Sequence, residues 1–151
     1  MHMETIDPMK QAEVWQRVRG EQLQPLLGDG LQELIARGWE VAGICLQLSR
    51  RFNGKPGAQL RQLYEKEQGH VSCLKGVYTL ITGRRPHIHG VPGAGGLPEA
   101  ELRRCYGKQM QNLAEYERRS NHPEYGHIFK SLAHQEREHC HLLLEVLGSL
   151  K

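Results

Sequence analysis

No part of the chain holds the roughly 18 consecutive apolar residues that a membrane-spanning helix needs. The first ten residues, MHMETIDPMK, lack the apolar centre of a secretion signal. The expectation is a cytoplasmic protein. Runs of like charge are also missing: the formal net charge is only +3, with basic and acidic residues interleaved, so nothing marks a nucleic-acid surface or a charged interaction tail. Aromatic residues are scarce at 6%, which leaves a core to be built from aliphatic side chains. The period-two alternation of a half-buried strand does not occur over any useful length. The four cysteines, Cys45, Cys73, Cys105 and Cys140, form no C-x-x-C pair. That excludes a zinc knuckle, a rubredoxin-type iron site and a thioredoxin-like motif, and all four read as reduced, buried small hydrophobes.

What remains is helical periodicity. At 151 residues the chain suffices for one core without disulfides. Asp7-Pro8 is an N-cap and first-turn pair for a short helix to about Arg19, within an N-terminal segment 1–28. The spacing then predicts four longer helices over 29–151. The first runs from about Gly30 to Phe52, with Leu31, Leu34, Ile35, Ala42, Cys45 and Leu48 inward, and stops at Asn53-Gly54-Lys55-Pro56-Gly57. The second spans about Gly57 to Thr82, with Leu60, Leu63, Val71, Leu74 and Ile81 inward. A Gly/Pro-rich connector, RRPHIHGVPGAGGLP, covers 84–98. The last two span about Pro98 to Ser120 and Pro123 to Gly148.

Two of these helices carry polar residues inside their apolar stripes. Glu136 and His139 fall among Ile128, Leu132, Leu143 and Val146. The same text occurs in the earlier hairpin: LYEKEQGH holds Glu67 and His70, LAHQEREH holds Glu136 and His139, each an E-x-x-H on the second helix of a helix-break-helix unit. An i, i+3 pair places carboxylate and imidazole on one helix face. Glu67 and Glu136 each lie about 16 to 20 Å along their helix from the preceding turn, near mid-bundle. If the two hairpins pack face to face, the four side chains meet at one height. The connector reaches about 50 Å when extended and a helix of this size is about 33 Å long, so it can cross the length of the bundle.

In these two motifs, across roughly residues 30 to 148, the sequence resembles the rubrerythrin branch of the ferritin-like superfamily. The resemblance implies an all-α four-helix bundle of two antiparallel hairpins joined by a long crossover. It implies that Glu67, His70, Glu136 and His139 supply bridging carboxylates and terminal imidazoles to a di-iron or di-manganese centre, and that iron would react with dioxygen or peroxide; oxygen and nitrogen donors of this kind suit iron, manganese or zinc. With no rubredoxin-type cysteine pairs, electrons would come from a separate donor.

The family pattern also requires a Glu from each remaining helix. By register those positions fall on Gln109 and between Gly38 and Glu40; Gly38 lies on the apolar stripe, whereas Glu40 projects to the polar side beside Glu33 and Arg51 and would turn inward only at a helical irregularity such as a π-bulge. With two certain carboxylates, two divalent ions leave about two uncompensated positive charges in a low dielectric, which favours one tight metal position over a pair. The competing reading is a metal-free buried network, Glu67 with His139 and Glu136 with His70, in a non-catalytic bundle. His87, His89, His122, His127, His134, His141, Glu65 and Glu138 read as solvated surface, and Tyr116 as a core residue near Gln109. Trp15 and Trp39, near one end, are compatible with a homodimer.

Overall fold

The computed structural model describes residues 30–90 and 93–150; the helix expected near Asp7 to Arg19 and Trp15 lie outside them. Among the described residues there are four helices and no strand: α1 over 30–49, α2 Gly54–Thr82, α3 Pro98–Arg119 and α4 Gly126–Ser149. The chain is an all-α four-helix bundle, with α1 and α2 forming one hairpin and α3 and α4 the other.

The helix ends follow local chemistry. α2 stops where Gly83 adopts φ 71° and its N–H caps Thr79 O at 2.8 Å. α3 opens with Pro98, carries Glu99 and Glu101 in its first turn and Arg118 and Arg119 in its last, each sign matching the helix dipole. Three boundaries differ from expectation. α1 ends at 49 rather than Phe52, α2 starts at Gly54 rather than Gly57, and α4 starts at Gly126 rather than Pro123. Before α4, His122 Nδ1 accepts from the backbone N–H of Glu124 and of Tyr125 at 3.1 and 3.0 Å, which holds a turn where the helix would otherwise begin. His122 is therefore a turn-forming residue rather than loose surface.

The two hairpin turns are built alike. A Cβ on Gly57 would lie 2.4 Å from Phe52 O, and one on Gly126 would lie 2.4 Å from Ser120 O, so the first turn of each second helix packs its backbone against a carbonyl of the turn or cap that precedes it. Glu67 is ten residues beyond Gly57, and Glu136 ten beyond Gly126. The repeat seen in the sequence is thus a repeat of geometry, carrying both motifs about 15 Å from their turns.

The connector crosses the bundle along α1. At one end the Gln32 side chain accepts from the His87 N–H at 2.9 Å; at the other, Gln47 Oε1 accepts from Ala94 N–H at 2.7 Å and Arg51 donates to Ala94 O and Gly96 O at 2.8 Å. As a result α3 begins at the end where α1 finishes. α1 and α3 run antiparallel, so Arg37 meets Asn112 near the middle while Cys45 meets Cys105 further along. α2 and α4 are likewise antiparallel, which sets Gln59 against Glu145 and Glu67 against His139.

The apolar interior is divided. One cluster joins Leu31, Leu34 and Ile35 to Val71, Leu74, Tyr116, Phe129 and Leu132; the other joins Val41, Ile44 and Leu48 to Leu60, Leu63, Leu102, Leu143 and Val146. Between them on every helix lies a stretch that contributes to neither, and it holds Gly38, Glu67, His70, Gln109, Asn112, Glu136 and His139. Apart from Arg119 at the end of α3, the buried polar residues form a cross-section of the bundle, closed above and below by hydrocarbon.

Glycine replacements separate the close contacts from the open positions. Gly57→Ala should destabilise by about 1–3 kcal/mol through the backbone clash. Gly76→Ala, mid-helix with nothing within 4 Å of the added Cβ, should stabilise by about 0.5–1 kcal/mol. Urea denaturation of the two variants checks both signs.

Candidate metal centre

Each E-x-x-H places its two side chains on the inward face of its helix, and the antiparallel packing of α2 on α4 brings the pairs together. Glu67 and Glu136 are 0% exposed, His70 4% and His139 3%. One ligand atom from each of the four residues lies within 4.8 Å of every other, the one such group among the described residues. His139 Nδ1 is 2.9 Å from Glu67 Oε1 and 3.4 Å from Glu136 Oε1; His70 Nδ1 is 3.4 Å from Glu136 Oε2. The two imidazoles stack with centroids 4.6 Å apart.

The donor set is under-satisfied. Glu67 Oε2, both Glu136 oxygens and His70 Nδ1 are buried without a hydrogen-bond partner. Leaving such atoms unpaired costs about 1–3 kcal/mol each, more when charged. Four ligands about 2.1 Å from a tetrahedral ion stand roughly 3.4 Å from one another, so the observed separations suit one small cation after slight adjustment. The cluster could hold a metal ion, and its oxygen and nitrogen donors match iron, manganese or zinc.

Ionisation is divided unequally between the carboxylates. Burial, with the like charge of Glu136, pushes Glu67 up to about 8. Burial also raises Glu136, but the neighbouring Glu67, His139 and His70 side chains more than reverse this, bringing it down to about 2. Burial opposes the charge on His139, yet its two carboxylate neighbours carry it up to about 9. Near neutrality the layer thus keeps protons on Glu67 and His139, with its negative charge on Glu136.

The α3 side supplies amides and a phenol in place of carboxylates. Gln109 donates Nε2–H to Glu67 Oε1 at 3.1 Å. Tyr116, fully buried, meets the His70 ring edge-on at 5.9 Å, and its hydroxyl has no hydrogen-bond partner. Burial and the two glutamates push that phenol well above its usual range, so it stays protonated. Asn112, absent from the sequence-level candidates, is fully buried in the same layer and accepts from Arg37 at 3.0 Å. Its place three residues after Gln109 on the same face was the available signal. Gln135, also missed, bonds His70 Nε2 at 2.9 Å; being exposed on α4, it leaves no mark in the apolar periodicity.

On α1, Gly38 occupies the expected position but brings no ligand: a Cβ there would approach Val71 Cγ2 at 3.1 Å, so the helix packs too closely for a longer side chain. Glu40 turns to α3, pairing with Lys108 at 2.9 Å and Arg104 at 3.3 Å, away from the layer. His87 and His89 stack on the connector, His134 pairs with Glu138 in the open, and none joins the cluster. One cysteine departs from expectation: Cys45, Cys105 and Cys140 are buried but Cys73 is exposed, because it falls off the buried stripe of Glu67, His70, Val71 and Leu74. Among the described residues no helix is long and apolar enough to cross a membrane.

The chain matches no protein-family model, no curated protein and no solved structure. What the fold and the site define together is a class: an all-α four-helix bundle whose buried double Glu-x-x-His cluster could bind a metal ion.

A cation at this site competes with two protons, so affinity should rise with pH. The cation-free protein should show the opposite trend. The raised His139 stabilises fully below pH 6.5, a contribution lost as pH rises through about 9. Glu67, raised from 4.5 to about 8, adds a growing cost from pH 4.5 to 8. Thermal melts from pH 6 to 9.5 should therefore show Tm falling as pH rises without metal, and falling less in Glu67→Gln.

Proposed function

We propose that the chain is a rubrerythrin-related, ferritin-like protein whose Glu67, His70, Glu136 and His139 hold one divalent cation. Iron is the first choice, with manganese or zinc as alternatives, and the reading extends to an oxidoreductase acting on dioxygen or peroxide. One observation carries it: four ligand atoms of suitable type, gathered within 4.8 Å at the centre of a core, most of them lacking any partner a folded protein normally provides. A divalent cation balances two carboxylates, which answers the charge problem that two ions would create.

Bound iron would supply one-electron chemistry toward dioxygen or peroxide. The residues of the chain do the rest. Glu67 and Glu136 provide the compensating charge, and the two apolar clusters on either side keep bulk water from the layer. Gln109 fixes the Glu67 carboxylate from α3. Electrons would come from a separate donor protein, and a homodimer remains part of this proposal.

A second reading is favoured by the 2.9 Å contact between His139 and Glu67, which is short enough to be a hydrogen bond in its own right. On that view the layer is a metal-free polar network that fixes how the two hairpins register.

Metal content separates the two. Protein grown with iron, manganese and zinc supplied in turn should carry about one equivalent per chain. Glu136→Gln should weaken binding by more than the roughly 10- to 100-fold typical of losing an outer partner, while Glu65→Gln, exposed and outside the layer, leaves it unchanged. Only trace metal in every preparation would favour the network. Iron-loaded protein that consumes no peroxide with an electron donor present would reject the oxidoreductase reading alone.

A further inference from the structure

A groove of about 700 Å³ runs between α2 and α4, floored by the rings of His70 and His139 and rimmed by Lys66, Cys73, His127 and Gln135. Gly69 lies in its wall, where a Cβ would meet nothing within 4 Å. The groove thus leads from the surface to two of the four cluster residues, while both carboxylates sit behind them with no exposure. A cation coming this way must pass the imidazoles.

His70 is held from the groove side. Its Nε2 is 2.9 Å from Gln135 Oε1, and the Gln135 Nε2 donates in turn to Ser131 Oγ at 3.3 Å. With the amide placed this way its oxygen accepts, so His70 Nε2 carries the proton, and in the neutral ring Nδ1 keeps its lone pair. That Nδ1 faces Glu136 at 3.4 Å with no hydrogen-bond partner. The side chain at 135 therefore selects the tautomer that a metal ligand requires, reaching the cluster only through the outer nitrogen of His70.

We propose that the α2–α4 groove is the port through which a divalent cation enters, and that Gln135 is a positioning residue pinning His70 with Nδ1 turned inward. The proposal rests on reading the cluster as a metal site. Entry and exit both require His70 to release Gln135 and swing aside. The latch slows exchange in both directions and, by preorganising the ring, tightens binding.

The test uses the cation-free full chain with Co²⁺ as probe, its uptake and release followed by visible absorption. Gln135→Ala should release Co²⁺ about tenfold faster, in line with outer-partner losses. Gln135→Glu, whose carboxylate also accepts from Nε2–H, should restore the slow rate. Gly69→Leu fills the groove and should slow uptake several-fold; because Leu forms helix better than Gly at an exposed position, the variant folds. Carbethoxylation of His70 by diethylpyrocarbonate, read by peptide mass mapping, gives a metal-independent measure: faster in Gln135→Ala, slower in Gly69→Leu, with exposed His134 unchanged as control. Rates of uptake, release and His70 modification that are the same in all variants would overturn the proposal. Modification that responds as expected in a protein that takes up no Co²⁺ would support the groove and latch while rejecting the metal reading.

Discussion

Two carboxylates and two imidazoles are buried in one layer of an otherwise hydrocarbon interior, and the architecture around them follows from that burial. Isolated ionisable groups in such a place cost several kcal/mol each, so the fold tolerates them only where they compensate one another or share a cation. Compensation demands register. Glu67 must face His139, and His70 must face Glu136, which fixes the sliding of α2 against α4. The matched ten-residue intervals from Gly57 to Glu67 and from Gly126 to Glu136 deliver that register from two turns at opposite ends of the bundle.

Helix α1 and the crossover serve the same layer indirectly. At Gly38 the backbone of α1 approaches Val71 and Asn112 closely, so that side of the layer is sealed by main chain rather than by a ligand. The connector, tied to Gln32 at one end and to Gln47 and Arg51 at the other, lets α3 start where α1 stops. That topology is what places Gln109, Asn112 and Tyr116 opposite the two motifs. The α3 side therefore presents groups that orient a carboxylate without adding negative charge, which suits one cation better than two.

Much of this was legible in the sequence, for a physical reason. Polar residues that interrupt an apolar helical stripe are expensive, and Glu67, His70, Glu136 and His139 interrupt two stripes at equal spacing; the structure brings all four together. Gln109 and Tyr116 were found by the same periodicity. Asn112 and Gln135 were not. The first adds only one more amide to a helix rich in polar residues, and the second acts from the exposed face, where periodicity says nothing. Turn chemistry was also hidden: the capture of two backbone N–H groups by His122 depends on a side-chain conformation, and it moved the start of α4 by three residues. The exposure of Cys73 was missed because composition alone does not tell a flank position from a core one.

The most direct test of the central claim is anomalous diffraction at the iron, manganese and zinc absorption edges from crystals of the metal-supplied protein. The account predicts one peak in the layer, with an oxygen or nitrogen atom of Glu67, His70, Glu136 and His139 each about 2.1 Å from it. A well-ordered layer with no anomalous peak at any edge, Glu67 still hydrogen-bonded to His139, would contradict it.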